Sequence, residues 1–378
     1  MRKFFALEGE TEEVPEVVET DEADEAMAEA EQHEEETAEA ADQVDEASSA
    51  AETVDEIADV VEEAGEEGIE PETARVVEAV MEHFAERFGM TKKYVPAIES
   101  FQTPAGRKEG SKLVLENLRT LSGNFDKSLA VAQEGIFDRL TNTIKLTFTA
   151  EEKVKARVEK AVSDIKEKGA AEGKVIKEPG WGRSFAIQNK KEVEPSDVVK
   201  YMSECEALFK SKTLDEFMSE YIGALEKITS NVNKSWLIAR EDAIKALSDM
   251  DAEIKAITDK ADKLFDAGSL KKAKADPSFK SLTEKDAEKV GKLAVDMMND
   301  ASLNQLVEKA KRAMIDCQLK LFTNQETRLI RWAAADIKSA HSILVKLNNH
   351  AMDIFRIIGE RKRVAFAVAQ YIEASTTK

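Results

Sequence analysis

The sequence predicts an all-α protein: long antiparallel helices in an elongated bundle, one small β-hairpin near residues 174–188, and a disordered acidic N-terminal arm. Three observations carry this expectation. Aromatic residues make up 6% of the chain and there are only 7 prolines, a composition that favours long helices over sheets. Apolar residues recur at steps of three and four through most of the chain beyond residue 195. Charge is divided along the chain. Residues 1–90 hold 32 Asp and Glu against 4 Lys and Arg, a net of −28, whereas residues 91–378 hold 43 against 50, a net of +7.

From Glu8 to Glu70 there is no Lys or Arg and no Phe, Trp or Tyr. The branched aliphatics there (Val14, Val17, Val18, Val44, Val54, Ile57, Val60 and Val61) are too sparse to offset the entropy of ordering so much chain, and the carboxylates repel one another. Residues 1–70 therefore read as a disordered arm, residues 71–134 as short helices and linker, and residues 135–378 as the helical body. Pro71 opens a short amphipathic helix carrying Val76, Val77, Val80, Met81, Phe84 and Phe88, which ends by Gly89. Lys92 to Gly110 is Pro- and Gly-containing linker. Leu113 to Val131 suggests a helix interrupted near Gly123, and Ile136 to Phe148 a fresh amphipathic start.

Residues 151–168 put Val154, Val158, Val162 and Ile165 on one helical stripe. Glycines and Pro179 then break the pattern, and Val175-Ile176 and Phe185-Ala186-Ile187 flank the turn as candidate hairpin strands around a packed Trp181. Ser196-Asp197 caps a helix through Phe209, and Thr213 begins a longer one. Its Leu214, Met218, Tyr221, Leu225, Ile228 and Val232 form a heptad seam, suited to packing within one chain or between chains. Gly268 to Lys280 is a basic loop. Thr283 caps the next helix, and from Ala301 to Ile358 neither Gly nor Pro interrupts one or two long helices that resume beyond Gly359.

The same reading narrows function. Cys205 and Cys317 are too few for a disulfide framework and read as buried free thiols. No run of about 18 apolar residues predicts a membrane span, and Met1 to Leu7 is too short for a secretory signal, so synthesis in the cytoplasm is expected. His33, His83, His341 and His350 lack metal-ligand spacing, Gly180-Trp181-Gly182 lacks the Lys-Ser/Thr of a phosphate loop, and no nucleophile motif is present. No catalytic residue, metal or cofactor is expected, and the chain reads as a non-enzyme. Lys271, Lys272 and Lys274, with Arg361, Lys362 and Arg363, are candidate nucleic-acid contacts, since phosphate neutralisation needs only such clusters. An acidic arm on a basic body could occupy those clusters and keep the precursor from DNA.

Ala132-Gln133-Glu134 followed by Gly135 fits an A-x-E rule and resembles the cleavage sites of prohead proteases in giant tailed bacteriophages. The chain's organisation, acidic front and helical body, is similar to their internal head proteins. That resemblance implies a structural virion protein with a removable acidic propeptide, other head proteins and a prohead protease as partners, contact with packaged DNA, and a place in the head interior after assembly in the host cytoplasm. A-x-E also ends at Glu8, Glu25, Glu52, Glu66, Glu99, Glu152, Glu172, Glu226 and Glu241; Glu134 is favoured because it precedes a fresh amphipathic start. Residues 135–378 alone would carry 43 Lys and Arg against 38 Asp and Glu, a net of +5. Two other readings stand beside this one. One is an assembly scaffold or adaptor whose permanent arm binds a basic partner. The other is a membrane-active helical protein led by Ile136–Phe148 and residues 343–358, without stable insertion. A homo-oligomer fits any of the three.

Overall fold

Helix α1 (Thr20–Glu63) forms where the arm was expected to be disordered. It is seen in a computed structural model that describes residues 20–87, 98–187, 190–232, 236–265, 277–328 and 334–377. Residues 1–19 of the expected arm lie outside that range. The correction for residues 20–63 has a physical cause in alanine, which the sequence reading did not count as core. Ala23, Ala26, Ala30, Thr37, Val44, Ala51, Val54 and Val61 are all buried, and the heptad steps between them are filled by half-buried His33, Ala40, Ala47 and Ala58. Alanine is the strongest helix former and its small side chain lets a neighbouring helix come close. The carboxylates fall on the other faces, some of them exposed and some paired with bases of the neighbouring helices.

The neighbour is α3 (Pro104–Lys168), with Thr103 as N-cap accepting from the Gly106 N–H at 3.1 Å. Gly106 and Gly110 are required by close approach: a Cβ would sit 1.9 Å from the Ser100 carbonyl oxygen and 2.7 Å from the Phe101 ring. The expected break near Gly123 and restart at Gly135 are not found. The helix runs through both, since one glycine costs only about 1 kcal/mol in a helix interior, and its apolar stripe continues on either side through Val114, Leu118, Leu121, Leu140 and Ile144. The pairs Glu62–Arg119, Asp55–Ser122, Thr37–Thr143, Glu34–Thr147 and Asp24–Arg157 show the register: going back along α1 the partners advance along α3, in step to within about one helical turn. The two helices form one long antiparallel hairpin.

At its outer end the hairpin is closed by α2 (Pro71–Arg87), which starts at Pro71 as expected, and by a 3-10 turn at Ile98–Gln102. Val54, Val61, Val77, Met81, Phe101 and Leu118 make a separate core there. The body holds α4 (Pro195–Phe209), α5 (Lys212–Val232), α6 (Trp236–Phe265), α7 (Glu284–Met298), α8 (Ala301–Arg328) and α9 (Ala334–Ser375). Helix α4 begins two residues earlier than expected, because Glu194 rather than Ser196 caps it in a reciprocal box with Asp197. Thr283 caps α7 as expected, and α9 continues through Gly359. The heptad seam of α5 is spent inside the chain: Leu214, Met218, Tyr221, Leu225 and Ile228 are buried, with α6 and α8 packed against the helix.

The expected hairpin is corrected to a three-stranded sheet, order β1-β3-β2, of β1 (Val175–Ile176), β2 (Glu192–Val193) and β3 (Ser278–Lys280). Val175-Ile176 is a strand, but its antiparallel partner is β3, whereas β2 lies parallel to β3. Phe185 instead turns into an aromatic cluster, in which the Trp181 ring lies 4.9 Å from Phe279 and 5.1 Å from Tyr371.

Candidate functional site

Among the described residues, a highly charged contact is the seat of α1 on α3 and α9. Its geometry follows from the antiparallel register, which brings the front of α1 over the middle of α3 and the later turns of α9. Lys153 lies 3.6 Å from Glu22, and the Arg157 guanidinium 2.9 Å from Asp24. Arg157 also grips Glu373 with two hydrogen bonds at 2.8 and 2.9 Å and lies 4.8 Å over the Phe366 ring. On α9, Lys362 donates to Glu34 and Arg363 to Glu31 at 3.2 Å. Asn349 donates to both carboxylate oxygens of Asp45 at 3.0 and 3.2 Å.

Beneath this layer lies a buried ion pair. Arg361 is 0% exposed and donates to both oxygens of Glu151, one at 2.8 Å, and to the Asn304 Oδ1 at 2.8 Å. Burial pushes the Glu151 carboxyl upward, and the Arg361 charge opposes that. Burial likewise raises Glu360, against the pull of Arg363.

These positions revise the expected nucleic-acid contacts. Arg361 and Lys362 are both 0% exposed, the first paired with Glu151 and the second covered by Glu34, so neither offers a surface for phosphate. The reason is α1 itself, whose carboxylates supply the counter-charge. Arg363 is partly exposed but engaged by Glu31 and Glu360. Lys271, Lys272 and Lys274 lie outside the described residues. Ala132, Gln133, Glu134 and Gly135 all fall within continuous α3, not at the start of a new helix. By contrast Ala64-Gly65-Glu66 lies in the exposed turn that follows α1.

Sequence reasoning missed Lys153, Arg157 and Glu151, which sit on an ordinary charged helix with no local motif. The available signal was the alanine heptad of α1, which demands a partner helix and, once laid antiparallel on α3, aligns acids with bases.

Other candidate chemistry is structural. His350 Nε2 pairs with Asp251 at 2.8 Å, tying α9 to α6, while its Nδ1 makes no hydrogen bond. Among the described residues no three His, Cys, Asp or Glu gather as a metal site needs, and no helix is long and apolar enough to cross a membrane. The apolar residues Ile136, Leu140 and Ile144, and Ile343, Val345, Leu347, Ile354, Phe355, Ile357 and Ile358 of α9, are buried in the chain. Cys205 and Cys317 are free and buried, as expected.

Comparison with curated proteins and with solved structures gives no match. A family model described as phiKZ-like phage internal head proteins matches residues 18–269, two thirds of the chain, beginning just before α1 and ending just after α6. A helical protein whose acidic front is built into its fold thus belongs to the phiKZ-like phage internal head proteins, structural components of the head interior.

Proposed function

We propose that this chain is a non-enzymatic component of the phage head interior, made as an acidic precursor and trimmed by a prohead protease during maturation. The observation that carries the reading is the placement of α1. The most acidic helix is joined to the rest through an exposed turn that itself contains an A-x-E tripeptide, Ala64-Gly65-Glu66. Proteases need exposed, non-helical chain. The bond after Glu66 meets that requirement as it stands, whereas the bond between Glu134 and Gly135 needs α3 to unwind first. Cutting after Glu66 leaves 52 Lys and Arg against 49 Asp and Glu, a net of +3, where the precursor carries −21. A body of that charge shares a head with packaged DNA at lower electrostatic cost.

Intact-mass measurement of the form carried by mature heads tests this. The expected product begins at Glu67, or at Gly135 if α3 opens. A chain beginning at Met1 overturns the trimming and favours the second reading, an assembly adaptor whose acidic helix stays. That reading draws on the outward carboxylates of α1, Glu25, Glu39, Asp42, Glu52 and Glu56, which are exposed and open to a basic partner.

A further inference from the structure

We propose that the seat on α3 and α9 also accepts α1 from a second copy of this chain, so that neighbouring chains exchange their acidic helices. The inference does not depend on trimming, because it concerns the full-length chain. Four features point to it. First, α1 is held by contacts distant in sequence and joined to the chain by one short connection. Second, that connection has a defined pivot. Gly68 is pinned, since a Cβ there would meet the Arg107 backbone at 2.5 Å, and the Ile69 N–H donates to Ser111 Oγ at 2.8 Å. The residues just before it, 64–67, form a turn, exposed from Gly65 on, in which Gly65 has φ +53° and a Cβ would meet only the Glu63 carbonyl oxygen, at 3.8 Å.

Third, α1 lends the main cluster only Ala26, Met27 and Ala30, with Ala50, Ala51, Val54 and Val61 lying in the outer core and Val44 beside Ile136 and Val345. Fourth, charge commits the occupant. Helix α1 carries 19 Asp and Glu and no Lys or Arg, while its seat presents Lys153, Arg157, Lys362 and Arg363 beside an apolar seam. A helix with the same heptad and the same carboxylates fits that seat in full, and a second copy supplies one. Duplex DNA would satisfy the cations but offers no apolar face to Leu140 and Ile144, which line one cleft with Glu34, Ala38 and Ala41 of α1. Exchange of an identical element is the low-cost route from monomer to assembly, since every contact already exists.

Isotope mixing tests the proposal on the full chain. Light and heavy chains are mixed at high concentration and treated with a water-soluble carbodiimide. The reagent activates the Glu22 carboxylate, the Lys153 amine attacks it, and a urea leaves carrying the carboxylate oxygen, so an amide records the contact. Exchange predicts that Glu22–Lys153 products joining one light and one heavy chain approach half of the total. Lys166–Glu288, 3.0 Å apart within the body, should stay within one isotope. Absence of hybrids at Glu22–Lys153, or equal hybrids at both pairs, overturns the proposal. Loss of the Glu22–Lys153 product on adding duplex DNA, with no hybrids in its absence, would assign the seat to phosphate and also overturn it. A second variant lacking Gly65 and Glu66 shortens the pivot so that α1 cannot fold back on its own chain. Native mass should then double, and a folded variant of single-chain mass counts against exchange.

Discussion

Replacing Arg361 by methionine asks whether this residue serves a buried ion pair or a surface. Methionine keeps much of the stem but removes both hydrogen bonds to Glu151 and the one to Asn304. Glu151, only 5% exposed, then loses its hydrogen-bonded counter-charge and keeps only the through-space pull of Lys362. Removing one partner of a buried pair costs about 3–5 kcal/mol, against about 0–1 kcal/mol for an exposed pair. With a urea m-value of about 3 kcal/mol/M, the unfolding midpoint of Arg361→Met should fall by about 1–2 M. The double variant Arg361→Met with Glu151→Leu should recover most of that loss, because a well-packed apolar pair replaces the ionic one.

The deficit should also depend on pH. Burial already holds the Glu151 carboxyl above its ordinary 4.5, and without Arg361 the folded value rises further. A carboxyl raised in the folded state favours folding below its unfolded value and loses that advantage as pH climbs through the folded value. The single variant should therefore lie closer to wild type at pH 5 than at pH 8. A midpoint shift no larger than an exposed pair gives, with the deficit unchanged by pH, refutes the buried pair. Unchanged stability with weaker DNA binding would restore Arg361 to the surface.

Three further outcomes follow from the packing. Ala30→Leu inserts a large side chain where α1 is 0% exposed, so stability should fall by about 1–3 kcal/mol from overpacking. Limited proteolysis should then release α1 sooner at the residue 64–67 turn, and wild-type protection would count against close seating. Gly291→Ala places a Cβ 2.5 Å from Val162 Cγ2. The clash, about 1–3 kcal/mol, should outweigh the helix-propensity gain of about 1 kcal/mol, so thermal melting should come earlier, and a later melt refutes the tight packing of α7 on α3. Burial pushes the Cys205 thiol up to about 12 and Cys317 up to about 11 from the ordinary 9.0. Both should resist a thiol reagent at pH 8 in the native protein and react fully in urea. Their neutral thiols cost nothing below pH 9.0, and stability should decline as pH rises from there toward those values.

The all-α class, the Pro71 and Thr283 starts, the α5 seam and the buried cysteines were legible because each rests on a local pattern. Two features were not. The strand partner of Val175-Ile176 lies about a hundred residues away, and a two-residue strand carries no periodicity with which to find it. The order of residues 20–63 was misjudged because only branched aliphatics were weighed, although Ala23, Ala30 and Ala51 fill the same seam as Val44 and Val54. The candidate site was half legible. Arg361, Lys362 and Arg363 were singled out as basic, and an acidic arm covering basic clusters was anticipated. That the cover is a docked helix, leaving Arg361 and Lys362 no surface, depends on a register that only the fold supplies.

The two descriptions of the acidic segment, free polyanion and packed helix, are joined by its energetics. Apart from its seat, α1 brings many like charges to neighbouring helical positions, each such pair costing a few tenths of a kcal/mol, and it has only alanine, valine, methionine and isoleucine to bury. Seated, Glu22, Asp24, Glu31 and Glu34 lie against Lys153, Arg157, Arg363 and Lys362, and the small side chains meet α3 along its length. The order of α1 is thus conditional on that surface. Lys362, in turn, has Glu34 as its carboxylate and is fully buried with α1 in place. Each side of the contact holds what the other needs: the helix requires a cationic face to stay helical, and the face requires an acidic helix to stay buried. Cutting or shortening the residue 64–67 turn removes the tether without touching either surface. Whether the helix then leaves, or is replaced by that of a neighbour, is decided by local concentration.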